Sequence, residues 1–152
     1  ENSVLIQERM VGQEYGIDII NDLQGNFQRA IAKKKYGLRA GETDCAEIIK
    51  NKEMDEFSEH LAKILGHIGN LDVDAFVSNG KIYLLEMNAR FGGGYPFSYL
   101  AGADLPSAII RWVSGEKLNG ELEGVRYGKI MHKDIRFVDL TPFILEGKNE
   151  TV

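Results

Sequence analysis

The stretch VDAFVSNGKIYLLEMNARFGGG, residues 73–94, decides how this chain is read. Val73, Ala75 and Val77 alternate with Asp74 and Phe76, the period of a strand with two different faces. Asn79-Gly80 is a strong hairpin signal. Lys81 to Asn88 then forms a second strand, which places Glu86 between Leu85 and Met87. Strand side chains alternate, so Glu86, Asn88 and Arg90 share a face. Gly92, Gly93 and Gly94 follow at once. A strand that needed only burial would not end in this way.

Whether Asp74 joins that face depends on the turn. A two-residue Asn79-Gly80 loop pairs Ser78 with Lys81, and regular alternation then sets Asp74 opposite Leu85, on the wrong face. A three-residue loop, Ser78-Asn79-Gly80, pairs Val77 with Lys81 and Asp74 with Leu84, beside Glu86. Two readings stay open on spacing alone. One is a set of hard oxygen donors suited to Mg²⁺. The other is a solvated sheet face with scattered acids. The glycines favour the first, since they let a backbone approach a ligand closely and expose its N–H groups.

Outward from the hairpin, the chain alternates strands and helices. Val4 to Gln7 reads as a short strand. Gly16 to Leu23 and Phe27 to Tyr36 read as an antiparallel hairpin around Gln24-Gly25-Asn26. Residues 37–43 read as a loop. Asp55 caps a helix running to about Ile68, with Phe57, Leu61, Ile64, Leu65 and Ile68 as one apolar stripe. Asp104 caps a last helix, with Pro106 in its first turn and Gly115 beyond its end. Tyr127 to Phe137 reads as a late strand and Ile144 to Val152 as a tail. The expected class is α+β, an antiparallel sheet with helices packed on one face.

Composition bounds the function. The 152 residues are 43 % apolar and 27 % charged, ordinary for a globular domain with its own core. A net charge of −5 argues against a nucleic-acid or anionic-membrane surface. Lys33-Lys34-Lys35 is too short a run to change that. With Cys45 as the single cysteine, no internal disulfide framework can form, and that thiol reads as a small hydrophobe. No apolar run approaches the ~20 residues of a membrane span. No signal peptide is visible, so a cytoplasmic location is expected. The chain begins at Glu1 and enters apolar pattern at once, which suggests a piece of a larger protein; a processed start looks the same. His60, His67 and His132 have no partner at metal spacing and read as structural or solvent-facing. Trp112 reads as a core anchor.

The quoted stretch resembles the closing segment of the ATP-grasp superfamily, and within it the large subunit of carbamoyl phosphate synthase and its relatives. LIQERMVGQEYGIDIINDLQGN (5–26) resembles the hinge strand and the acidic strand after it. RAGETDCAEII (39–49) resembles the loop before the long helix, and AGADLPSAIIRWVSGEKL (101–118) the helix after the metal strand. Four segments in the right order make a specific match.

The resemblance implies roles. Gln7, Glu8, Arg9 and Met10 look like the hinge whose backbone reads adenine. Glu14 matches the acid that binds the ribose hydroxyls, and Phe76 would pack under adenine. Asp74 and Glu86 match the two acids that hold magnesium (or manganese in its place), two ions in all, with Asn88 as third ligand and Glu86 best placed to contact both ions. The spacing from Asp74 to Glu86 fits the family and supports the three-residue loop. Arg90 matches the arginine that stabilises the phosphate in flight or the acyl phosphate. Arg39 occupies the loop position that reaches the phosphoryl region. Lys33 to Lys35 have two readings, a solvated strand edge or contact with an acyl or phosphate group.

Two departures move the chain away from true carbamoyl phosphate synthases. Ala89 stands where those usually have proline, and FGGGYPFS replaces a stretch bearing serine or threonine. Both fit better the related ligases that join a carboxylate to an amine. The resemblance also implies that residues 1–140 are the large lobe of the grasp, followed by a tail at 141–152. The small lobe that covers the phosphates, and an N-terminal domain, are not in this sequence. The implied reaction forms an acyl phosphate from a carboxylate or bicarbonate with ATP, for attack by an amine or ammonia. The alternative is a nucleotide-binding module without catalysis of its own.

Overall fold

The computed structural model describes residues 4 and 6–135. Among these, six strands form one antiparallel sheet in the order β5-β4-β1-β2-β3-β6. The strands are β1 (Gln13–Asn21), β2 (Phe27–Arg39), β3 (Glu42–Ile49), β4 (Gly69–Ser78), β5 (Lys81–Asn88) and β6 (Ile130–His132). Helices α1 (Lys52–Leu65), α2 (Tyr95–Ala101) and α3 (Leu105–Val113) pack on it. The class is the α+β one expected.

The helices divide between the two faces. Ile17 and Ile19 of β1 pack with Leu71, Val73 and Ala75 of β4 and with Met54 and Ala62 of α1. On the opposite face Ile31 and Ile48 pack with Phe97 and Ala101 of α2, and Ile20 packs with Leu105 and Ala108 of α3. Strand alternation makes this possible, because β1 is buried on both sides from Gly16 to Asn21. The expectation that all helices share one face is corrected in this respect.

Helix α1 starts earlier than expected. Asn51, not Asp55, is its N-cap, and its side chain accepts a 3.0 Å bond from the Met54 N–H. Asp55 lies in the first turn, where an acid favours the helix dipole. The buried line is Met54, Ser58 and Ala62, flanked by Phe57 and Leu61. Ile64 and Leu65 of the expected stripe lie off that buried line and are exposed. Ile68, also exposed, lies beyond the helix, which stops at Gly66 in the left-handed region. Helix α3 is as expected, with Asp104 as N-cap and Pro106 in its first turn.

Two strand expectations fail. Residues 4, 6 and 7 form no strand; Val4 and Ile6 are exposed, and the sheet begins only at Gln13. Residues 37–43 are not a loop. β2 runs on to Arg39, turns at Ala40-Gly41 and returns as β3. β3 therefore covers the flank of β2 and makes β2 a central strand. Of the late strand, only Ile130–His132 is observed, paired with β3; its last two residues and the tail expected at residues 144–152 lie outside the described residues. The tyrosine-to-lysine stretch before β6 contributes turn and coil.

Candidate functional site

The hairpin β4–β5 makes a two-residue turn. Ser78 pairs with Lys81 and Ala75 with Leu84, so the expected three-residue loop is not formed. Asn79 and Gly80 both have positive φ, 50° and 72°, the combination a tight hairpin turn with matching twist requires. Yet Asp74 pairs with Glu86, because the register shifts between Asp74 and Ala75. The extra residue on β5 is Leu85. A bulge leaves one residue unpaired and re-aims those beyond it. Asp74 and Asp72 thus stand opposite Glu86 and Asn88 on one face.

That face lies beside the start of α2 and is open as a cleft of about 420 Å³. Asp72, Asp74, Glu86 and Asn88 line it from β4 and β5, Arg90 from just beyond β5, Lys35 and Thr43 from β2 and β3, and Gly93 and Gly94 from the glycine loop. The glycines are explained by close approach. A Cβ on Gly92 would lie 2.1 Å from the Asp72 carboxyl carbon, and one on Gly93 would lie 2.9 Å from Glu42 Oε2. A side chain at Gly92 would displace the Asp72 carboxylate, and one at Gly93 would push aside the exposed end of Glu42.

Lysines supply the positive charge. Lys35 Nζ donates to Glu14 Oε1 at 2.7 Å and to Asp74 Oδ1 at 2.8 Å. Burial opposes its charge, but hydrogen bonds from the ammonium to both carboxylates outweigh this and raise its pKa. Lys33 is fully buried and paired with Asp18, which also accepts from Ser98 and Asn70. Gly16 makes room for both lysine stems; a Cβ there would lie 3.3 Å from Lys35 Cε and 3.4 Å from Lys33 Cε. For Lys33 and Lys35 the solvated-edge reading is overturned, since both side chains are buried and ion-paired and β3 removes the edge itself. Asp72 is half-buried, and burial pushes its carboxyl up. Nearby Asp18 and Asp74 act in the same direction, against Lys33 and Arg90.

The remaining expected site residues fall in three places. Arg90 Nη1 donates to Asp72 Oδ2 and to the Phe91 carbonyl, both at 3.1 Å, at the cleft rim. Glu14 and Phe76 are cross-strand partners on β1 and β4, two pairs further along than Gly16 and Asp74. Glu8, Arg9 and Met10 border a separate hollow of about 270 Å³ with Ser78, Asn79 and Tyr83, and Gln7 is exposed next to them. Arg39 is not drawn into the cleft. Its Nε donates to Asp44 Oδ1 at 2.9 Å and its Nη2 to the Lys133 carbonyl at 3.2 Å. His67 bonds the Ile19 carbonyl at 3.1 Å, a structural role.

Asp72 and Asp18, which share this face with Lys33 and Lys35, were not among the expected residues. Asp72 had a signal, the period-two spacing Asp72–Asp74 on one strand. Asp18 had none, because its partners Lys33, Asn70 and Ser98 come from three other elements.

The metal donor set can be tested on this geometry. Asp74, Glu86 and Asn88 present two carboxylates and an amide oxygen, the hard ligands that Mg²⁺ takes. Asn88 Nδ2 donates to Glu86 Oε1 at 2.6 Å, which leaves the amide oxygen free of that bond. Among the described residues no group of three or more His, Cys, Asp and Glu side chains is assembled for a metal. Three such donors are fewer than Mg²⁺ takes, so an ion held by them would have to complete its shell with water and substrate phosphates. Among the described residues no helix is long and apolar enough to cross a membrane.

Comparison with known proteins bears on the fold and the family. The carbamoyl phosphate synthase large chain of Lachnoclostridium phytofermentans is 26 % identical over 127 residues, covering 78 % of this chain and 12 % of that protein. That of Clostridium perfringens is 24 % identical over 150 residues, covering 92 % of this chain and 14 % of that protein. The chain thus spans only a small part of the length of these relatives. Rhizobium etli pyruvate carboxylase T882A, with acetyl coenzyme A, superposes with a TM-score of 0.57 at 18 % identity, over 78 % of this chain and 13 % of that one. The same protein crystallised without acetyl coenzyme A gives 0.58 at 17 % identity, with the same coverage. At such identity the likeness shows the fold alone. The family described as ATP-grasp in the biosynthetic pathway with Ter operon matches residues 1–132, and the chain belongs to the ATP-grasp family.

Proposed function

We propose that this chain is the large lobe of an ATP- and magnesium-dependent ligase that activates a carboxylate, or bicarbonate, as an acyl phosphate for attack by an amine or ammonia. The single observation that supports it most is the cleft in which Asp74 faces Glu86 across the hairpin, with Asn88 and Arg90 beside them. Both substrates belong to the whole protein and are proposals here.

Asp74, Glu86 and Asn88 would hold the magnesium ions, which when bound neutralise phosphate charge. Arg90 lies at the same rim as an always-charged planar fork. It would stabilise charge on the transferring phosphoryl group, which a fixed donor does without reorganising. The carboxylate oxygen attacks the γ-phosphorus, the bond to ADP breaks, and an acyl phosphate forms. The amine nitrogen then adds to the carbonyl carbon, phosphate leaves, and the nitrogen loses a proton. The chain's part is positioning and charge compensation. Glu14 and Phe76 extend the same strand pair toward Glu8–Met10, which gives the nucleoside a path along β1 and β4. Lys35 bridges the proposed ribose acid and the proposed metal acid, so its ammonium must yield part of Asp74 to an incoming cation.

The test is ADP formation by the full polypeptide. It should need both Mg²⁺ and a carboxylate, and Glu86→Gln should abolish it with the circular dichroism spectrum unchanged. Undiminished ADP formation by Glu86→Gln would overturn the reading. Nucleotide binding without any turnover would leave the nucleotide-binding module in its place.

A further inference from the structure

We propose that Asn70 is a positioning residue for Arg90, clamping its backbone to a buried ion pair at the centre of the sheet. The inference rests on the function proposed above, and goes beyond it to a residue outside the cleft.

Asn70 lies on β4, 5 % exposed. Its Nδ2 donates to Asp18 Oδ1 and to the Arg90 carbonyl, both at 3.1 Å. Both partners accept only, so the amide has one workable orientation; turned over, its oxygen would face a carboxylate and a carbonyl. Its Oδ1 is buried without a hydrogen-bond partner among the described residues. Burying an unpaired acceptor is costly, and a side chain kept there for packing alone would not need it.

Asp18 is held equally firmly. It is fully buried on β1 and accepts from Lys33 of β2 and Ser98 of α2. Lys33 Nζ also lies 3.4 Å from Ser98 Oγ. Four elements thus meet at one carboxylate. Arg90, by contrast, lies beyond the last residue of β5 and is past the ladder that fixes Asn88. Its guanidinium is tied to Asp72, and its carbonyl is tied to the sheet through Asn70. Misplacing a transition-state donor by about 1 Å can cost on the order of a hundredfold in rate. A rigid core contact one peptide away from such a donor prevents that.

The test uses the full polypeptide with Asn70→Leu, Asn70→Ser, Arg90→Ala and the double variant Asn70→Leu/Arg90→Ala. Thermal melts identify variants that fold; Asn70→Ser, which keeps one short donor, serves if Asn70→Leu does not. We expect kcat to fall about 10- to 100-fold with the KM for ATP nearly unchanged. We expect the double variant to be no slower than Arg90→Ala alone, because Asn70 acts through Arg90. Multiplicative losses would overturn the proposal and leave the ligase reading standing. If the wild type forms no ADP, the ligase reading falls instead. The clamp is then judged by the ¹³C carbonyl signal of Arg90, which should move in Asn70→Ser; an unmoved signal would overturn it.

Discussion

Asp74 stands directly across from Glu86, although the Asn79-Gly80 turn would by regular pairing set it across from Leu85. One extra residue on β5 separates the two outcomes. The turn and the bulge together do what a single three-residue loop would have done, and they keep the acids of both strands on one face.

Deleting Leu85 should therefore leave Asp74 facing Glu86. The deletion removes the unpaired residue, and Ala75–Leu84 is followed by Asp74–Glu86 in a regular ladder. Cross-strand nuclear Overhauser contacts between residues 74 and 86 check this. Contacts between 74 and Met87 would mean that the bulge is imposed from elsewhere in the sheet.

Gly92→Ala and Gly94→Ala should differ in sign. At Gly92 the new methyl would collide with the Asp72 carboxylate, which must leave Arg90. Overpacking of this kind costs about 1–3 kcal/mol. At Gly94 the nearest atoms are Lys33 Cε and Nζ at 3.5 Å, an ordinary contact. That substitution should be neutral or stabilise by up to about 1 kcal/mol. Denaturant midpoints measured side by side decide it.

The buried pair of Lys33 and Asp18 should show strong coupling. Lys33→Met or Asp18→Leu alone leaves one charge buried without its partner and should cost about 3–5 kcal/mol. The double variant should cost far less than the sum, since neither charge remains. Additive losses in a double-mutant cycle would mean that water reaches the site.

Arg39 should behave as a structural residue. Its hydrogen bond to Asp44 holds that carboxyl below the usual aspartate range against the opposing effect of burial, with the charges of Arg39, His132 and Lys133 adding to the lowering. The sign follows directly. The folded pKa is depressed, so the contribution is present above the unfolded value of about 3.9 and is lost as pH falls through the lower folded value. Arg39→Ala should raise the Asp44 pKa and leave ADP formation by the full polypeptide within about threefold of wild type, less than the hundredfold expected for a lost transition-state donor. An NMR titration of Asp44 gives the first, and initial rates give the second.

Local chemistry made much of the architecture legible. Asn79-Gly80 announced the hairpin, Asp104-Leu-Pro106 announced α3, and period-two alternation put Glu86, Asn88 and Arg90 together, because each rests on backbone preferences within a few residues. Local signals misled where two were available. Asp55 and Asn51 can both cap a helix, and packing of Met54, Ser58 and Ala62 on the sheet selected the earlier start.

Pairing between distant segments lay beyond that reach. The pattern from Lys33 to Arg39 reads the same whether its flank meets water or β3, and β3 covers it. On the face above it, Lys33 and Lys35 become the buried counter-ions of Asp18, Glu14 and Asp74, with Ser98 of α2 closing over Lys33. The bulge at Leu85 is of the same kind. Residue order in 73–94 states which groups are available, including the acids and the arginine. Which of them face one another depends on register, and register is selected by the free energy of burying one face of β4 against β1 and α1, a quantity summed over the whole sheet.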